Sequence, residues 1–137
     1  MNKSKTIIVT QADYNKLMDL IQSLSHEERA SRPALKELES ELQRAEVTSD
    51  EDVPDDTITL NSRAILEDVQ SKDQLDLTVV MPEDADIDTG KISILAPLGT
   101  AMLGYRVGDE FEWEIPAGRT RYRIVSLAFQ PEADKKN

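Results

Sequence analysis

The sequence contains no cysteine, one histidine (His26) and one tryptophan (Trp113). Without cysteine there is no disulfide framework, no thiol nucleophile and no thiolate metal site. A single histidine excludes a multi-histidine metal centre and a relay between imidazoles. Aromatic residues make up only 4% of the chain, so the core has to be aliphatic. No apolar run approaches the ~20 residues of a membrane helix. The apolar stretch at 7–9 is too short for a signal peptide. The expectation is a cytoplasmic protein with no membrane association. The five glycines, at 90, 99, 104, 108 and 118, form neither G-x-G-x-x-G nor a P-loop, so no phosphate cradle is encoded. The serines and threonines lack a recognisable general base. No catalytic residue, cofactor site or metal site is therefore expected.

What is present is a folded chain of domain size: 137 residues, 39% apolar and 31% charged. Its net charge of −11 is concentrated in the middle third. Residues 48–90 carry 13 Asp/Glu against 2 Lys/Arg, whereas the flanking segments are nearly neutral. Phosphate contacts dominate nucleic-acid affinity, so an acidic chain of this kind is repelled by bare nucleic acid and suits a basic protein surface. Direct sequence-specific nucleic-acid binding is not expected.

Residues 1–47 read as a helical hairpin. Tyr14, Leu17, Met18, Ile21 and Leu24 recur at helical spacing after Thr10, which with Asp13 resembles a capping box. A second helix is expected near Ser31, with Pro33 in its first turn and a seam at Leu35, Leu38, Leu42 and Ala45. Two short helices with a short connection lie antiparallel. Between them, His26, Glu27, Glu28 and Arg29 form the loop at the tip. These residues are candidates for partner contact. Glu27 and Glu28 could also lend carboxylates to a partner's magnesium ion.

Residues 48–56, with five acids, read as an acidic linker. They lack the glycine and terminal glutamate of a calcium loop. From residue 57 the pattern turns to short strands at 57–60, 63–66, 75–81 and 91–95, with a small helix at 97–103 stopped by Gly104. At the C-terminal end, Phe111, Trp113 and Ile115 alternate with glutamates, and Tyr122 and Ile124 with arginines. A four-residue loop at 116–119 would set Trp113 opposite Tyr122, Glu114 opposite Arg121 and Glu112 opposite Arg123. The phase slips after Ile124, which predicts a bulge at 124–125. Residues 131–137 read as a frayed, charged tail. The fold class is α+β: a helical hairpin at 1–47, the linker at 48–56, a small antiparallel sheet domain with one helix at 57–130, and the tail.

The run Gly90-Lys-Ile-Ser-Ile-Leu-Ala-Pro-Leu-Gly-Thr-Ala-Met-Leu-Gly104, followed by Val107-Gly-Asp109 and Trp113-Glu-Ile-Pro-Ala-Gly118, resembles the C-terminal signature of the Gre transcript-cleavage factors. The pieces Thr59-Leu-Asn-Ser-Arg63 and Phe129-Gln-Pro-Glu132 narrow the resemblance to the Rnk group of that family, regulators of nucleoside diphosphate kinase. The resemblance implies a short antiparallel coiled coil, an FKBP-like sheet domain and binding to bacterial RNA polymerase at the rim of its secondary channel. It implies docking through residues 96–109, with Met102 and Leu103 as contact candidates. Gre factors carry catalytic acids at the tip of a longer coiled coil, but the surroundings of Glu27 and Glu28 do not match that tip. The expectation is a non-enzymatic transcription modulator that competes with longer factors. The alternatives are Gre-like stimulation of RNA cleavage and a direct adaptor for nucleoside diphosphate kinase. The scarcity of aromatics argues against the prolyl isomerase activity that an FKBP-like domain suggests.

Overall fold

The computed structural model describes residues 6–115 and 118–135. The chain enters through a short strand, β1 (Ile8–Thr10), and turns directly into helix α1 (Gln11–Ser23). A short helix follows as α2 (His26–Ala30), then helix α3 (Pro33–Arg44) and strand β2 (Glu46–Thr48). β1 and β2 pair in parallel, Ile8 with Glu46 and Thr10 with Thr48. The start of α1 and the end of α3 therefore stand side by side. The two helices run back to back from that foot, each about 20 Å long at 1.5 Å per residue.

Both helices form where apolar spacing predicts them. Leu17 and Ile21 of α1 and Leu35, Leu38 and Leu42 of α3 are fully buried, and Tyr14, Met18 and Leu24 pack at their margin. Pro33 occupies the first turn of α3, where its missing N–H costs nothing. Only half of the expected capping box at the start of α1 exists. The Asp13 N–H donates to Thr10 Oγ1 (3.1 Å), but the Asp13 carboxylate turns away to accept from the Leu60 N–H (3.0 Å).

The remaining strands make one five-stranded sheet. They are β3 (Arg63–Asp68), β4 (Gln74–Val80), β5 (Lys91–Ser93), β6 (Glu110–Ile115) and β7 (Gly118–Phe129). The order is β5-β4-β3-β7-β6, antiparallel except for the β4–β5 pair. Residues 57–60 do not form the expected strand: Thr57 makes only an isolated bridge to Arg106. Helix α4 (Pro97–Met102) follows β5 and is ended by Gly104, which has φ +83°. A Cβ at Gly104 would overlap the Ile7 side chain, so the glycine lets the end of α4 press against the chain entering β1.

Two expectations at the C-terminal end need correction. The β6–β7 register pairs Phe111 with Tyr122, Glu112 with Arg121 and Ile115 with Gly118; positions 116 and 117 of the expected loop lie outside the described residues. Every pair is shifted by two from the four-residue-loop expectation. A shift of two keeps each side chain on the same face, so the burial argument does not separate the two registers. The glutamates still meet arginines: Arg121 bonds Glu112 at 3.0 Å and Arg123 bonds Glu110 at 2.9 Å. The predicted bulge is present, since β7 skips a residue against β3 between Ser126 and Ile124. The second correction concerns residues 131–135. They are not frayed but form a short helix, α5 (Pro131–Lys135), with Glu132 buried.

The hairpin does not stand apart from the sheet. Leu17, Ile21, Leu35, Leu38 and Leu42 belong to the same apolar cluster as Leu66, Leu77, Val79, Ile94, Met102 and Ile124. A shared core of this kind couples the two parts, because exposing either face costs about 25 cal/mol per Å² of apolar surface.

Candidate functional site

The tip of the hairpin is a small helix rather than a loop. Ser25 caps it: the Glu28 N–H donates to Ser25 Oγ (3.1 Å) and the Ser25 N–H donates to Glu28 Oε1 (3.0 Å). This reciprocal pair is a capping box, and Ser25-x-x-Glu28 is its readable sequence signal. Apolar periodicity does not reveal it, because the apolar pattern stops there. The consequence for chemistry is direct. The Ser25 N–H and hydroxyl hold the Glu28 carboxyl below its ordinary value, and that carboxylate is folded back on its own helix. His26 and Glu27 are exposed, while Arg29 is half-buried. Consecutive positions on a helix point about 100° apart, so Glu27 and Glu28 do not share a face. Among the described residues no group of three or more His, Cys, Asp or Glu is placed to hold a metal ion.

The segment 96–109 divides into a buried and an exposed part. Met102 and Leu103 are each 0% exposed. They face the hairpin and the sheet and are core residues, so neither can be a contact residue. The reason is local: α4 is only six residues long, and its C-terminal turn is the part pressed inward. The accessible residues are Pro97 and half-buried Leu98 at the start of α4, and Arg106, Val107 and Gly108 in the following turn. That turn is braced on both sides. Arg106 pairs with Asp56 (2.8 Å), and the Arg106 N–H donates to the Asp109 carboxylate (2.8 Å).

The sheet also carries a lattice of exposed ion pairs. Arg63 bonds Asp76 through two nitrogens (2.8 and 2.6 Å), which holds the Asp76 carboxyl below its usual range. Arg121 bridges Glu110 (3.5 Å) and Glu112 (3.0 Å). Arginines tied in this way are poor phosphate ligands, because each phosphate would have to displace a carboxylate.

Comparison with known proteins fits this geometry. The family profile described as "Transcription elongation factor, GreA/GreB, C-term" matches residues 53–129, and that described as "Rnk N-terminus" matches residues 5–47. The chain belongs to the GreA/GreB family. A "Regulator of nucleoside diphosphate kinase" from Escherichia coli (strain K12) is 34% identical over 129 residues, 93% of each chain, which puts this member with the Rnk regulators. "Transcription elongation factor GreA" from Syntrophotalea carbinolica is 35% identical over 95 residues, 69% of this chain but only 60% of that GreA. Among solved structures, "Prokaryotic transcription elongation factor GreA/GreB from Nitrosomonas europaea" superposes with a TM-score of 0.78. It is 38% identical and covers 92% of this chain and 100% of that one. The fold is thus GreA/GreB-like, with a helical N-terminal part and a C-terminal sheet, and the chain is a regulator of the transcription-elongation-factor type. Among the described residues no helix is long and apolar enough to cross a membrane.

Proposed function

We propose that this protein is a non-enzymatic, cytoplasmic transcription modulator that binds RNA polymerase near its secondary channel. Its FKBP-like sheet domain docks on the rim, and its short coiled-coil hairpin occupies the channel mouth and competes with longer coiled-coil factors. An effect on nucleoside diphosphate kinase then follows indirectly, through transcription. The observation that carries this reading is the hairpin itself. Its helices have 13 and 12 residues, and its seam is buried in the core that it shares with the sheet. Such an arm fills an entrance and does not reach far beyond it. The tip supports the same reading, because the Glu28 carboxylate is engaged in capping.

The docking surface is assigned to Pro97, Leu98 and Val107, the accessible apolar residues of 96–109, and His26, Glu27 and Arg29 contact the channel mouth. The test is competition. Added protein should suppress GreA-stimulated cleavage of backtracked transcripts by purified polymerase, and Val107→Asp, at an exposed position, should fold normally yet lose both polymerase binding and suppression. Cleavage stimulated by the protein alone and abolished by a Glu27→Ala/Glu28→Ala double variant would overturn the reading. So would capture of purified nucleoside diphosphate kinase without polymerase.

A further inference from the structure

Two runs that stand out in the sequence, Thr59-Leu-Asn-Ser and Gln130-Pro-Glu, meet in the structure although Thr59 and Glu132 are 73 positions apart. Gln130 Nε2 donates to the carbonyls of Pro54 and Thr57, both at 2.8 Å. Glu132 Oε1 accepts from Thr59 Oγ1 at 2.7 Å. Thr59 N–H donates to Ser62 Oγ at 2.9 Å, and the two hydroxyls lie 2.8 Å apart. A carboxylate only accepts, so the Thr59 hydroxyl proton points at Glu132 and the Ser62 proton points at Thr59. The direction of every bond in the chain is thereby determined.

The next residue carries the connection to the hairpin. Leu60 N–H donates to Asp13 Oδ2 on the first turn of α1, and the Asp13 N–H closes on the cap residue Thr10. Asp13, Thr59, Ser62, Gln130 and Glu132 are all buried, so these bonds are screened from bulk water. Inside a protein such bonds are stronger, and losing one partner is correspondingly costly. The segment after the last strand thus clasps residues 54–62, and residues 54–62 hold the foot of the hairpin.

We propose that residues 130–135 are a strap that sets the pose of the hairpin on the sheet domain, acting through Thr59 and Leu60 on Asp13. With the strap in place, the tip and the sheet move as one body. With it released, the hairpin stays attached through the apolar core but its angle is no longer held. This property belongs to the molecule alone and stands independently of the polymerase reading.

The test uses the full chain, whose lack of cysteine makes site-directed labelling unambiguous. Nitroxides at Gln22→Cys and Ser71→Cys, both exposed positions, report the distance between the arm and the far end of the sheet by pulsed electron resonance. Hydrogen exchange at the Leu60 amide reports the link to Asp13. The native chain should give one narrow distance distribution. Glu132→Ala should broaden it and speed Leu60 exchange about five- to tenfold. Glu132→Gln, which keeps an acceptor for the Thr59 hydroxyl, should restore both. If truncation to alanine unfolds the chain, Glu132→Leu keeps most of the volume without an acceptor and gives the same reading. The proposal is overturned if Glu132→Ala frees the α5 amides while leaving the Leu60 amide and the distance distribution unchanged, or if Glu132→Gln behaves like Glu132→Ala.

Discussion

Replacing Asp13 with asparagine should stabilise the protein at neutral pH and leave it unchanged in mild acid. Asp13 is a buried carboxylate at the start of α1 whose Oδ2 accepts the Leu60 N–H. Burial pushes its pKa from 3.8 up to about 6; the Leu60 bond pulls the other way, and the nearby Glu132 and Asp50 add to the rise. The folded state therefore holds the proton more tightly than the unfolded chain does. The stability this confers is complete below the unfolded value near 3.8 and is lost as pH rises through about 6. At 1.36 kcal/mol per pKa unit the whole swing is about 3 kcal/mol. The asparagine side chain keeps an oxygen for the Leu60 N–H and never ionises. The difference between Asp13→Asn and the native chain should then grow from near zero at pH ~4 to about 3 kcal/mol at pH ~7. Urea unfolding across that range, with the slope checked for constancy, measures it. Asp13→Ala is the control: it also removes the charge but leaves the Leu60 N–H unpaired, at a cost of about 1–3 kcal/mol. The reasoning fails if Asp13→Asn is less stable than the native chain at neutral pH, or if the difference is flat with pH.

Two further outcomes follow from the packing and the caps. Gly104→Ala should cost more than about 1 kcal/mol, because it combines a positive φ with overlap onto Ile7, and hairpin and sheet probes should still melt together; a melting temperature equal to the native value would contradict it. Ser25→Ala should cost about 0.5–2 kcal/mol of local stability in α2, seen as faster exchange of the Arg29 amide with no change in the β3–β7 amides; an Arg29 amide that exchanges at the native rate would refute the capping role.

The parts of the fold that are legible in the sequence are those in which burial repeats with the period of the element. Leu17, Ile21, Leu35, Leu38 and Leu42 mark their helices because one face of each meets a continuous core. The bulge beside Ile124 can be read because the alternation visibly changes phase there. The second slip of β7, between Leu127 and Phe129, lies among exposed or half-buried residues and leaves no such mark. Alternation determines the faces of β6 and β7 but not their absolute offset, which is why a loop longer by two residues looks equally sound. β1 and β2 are invisible in the sequence, since three-residue strands joined across an intervening hairpin have no local signature. The position of the tip is legible, but the burial of the end of α4 is not. Met102 and Leu103 look like any apolar helix residues until the hairpin is laid over them. The burial of Glu132 and Asp13 is not legible, because an acid in a short terminal run or a first turn normally faces solvent, and the Thr59 hydroxyl and the Leu60 amide that receive them come from a distant part of the chain.

The parallel pair of β1 and β2 has an evolutionary corollary. It closes the chain at the base of the arm, so whatever is threaded between Thr10 and Glu46 is topologically a cassette. Whole turns inserted symmetrically at the free end would lengthen the arm while leaving its socket, and the module it plugs into, unaltered. Arm length and anchoring can thus diverge separately among paralogues built on this plan.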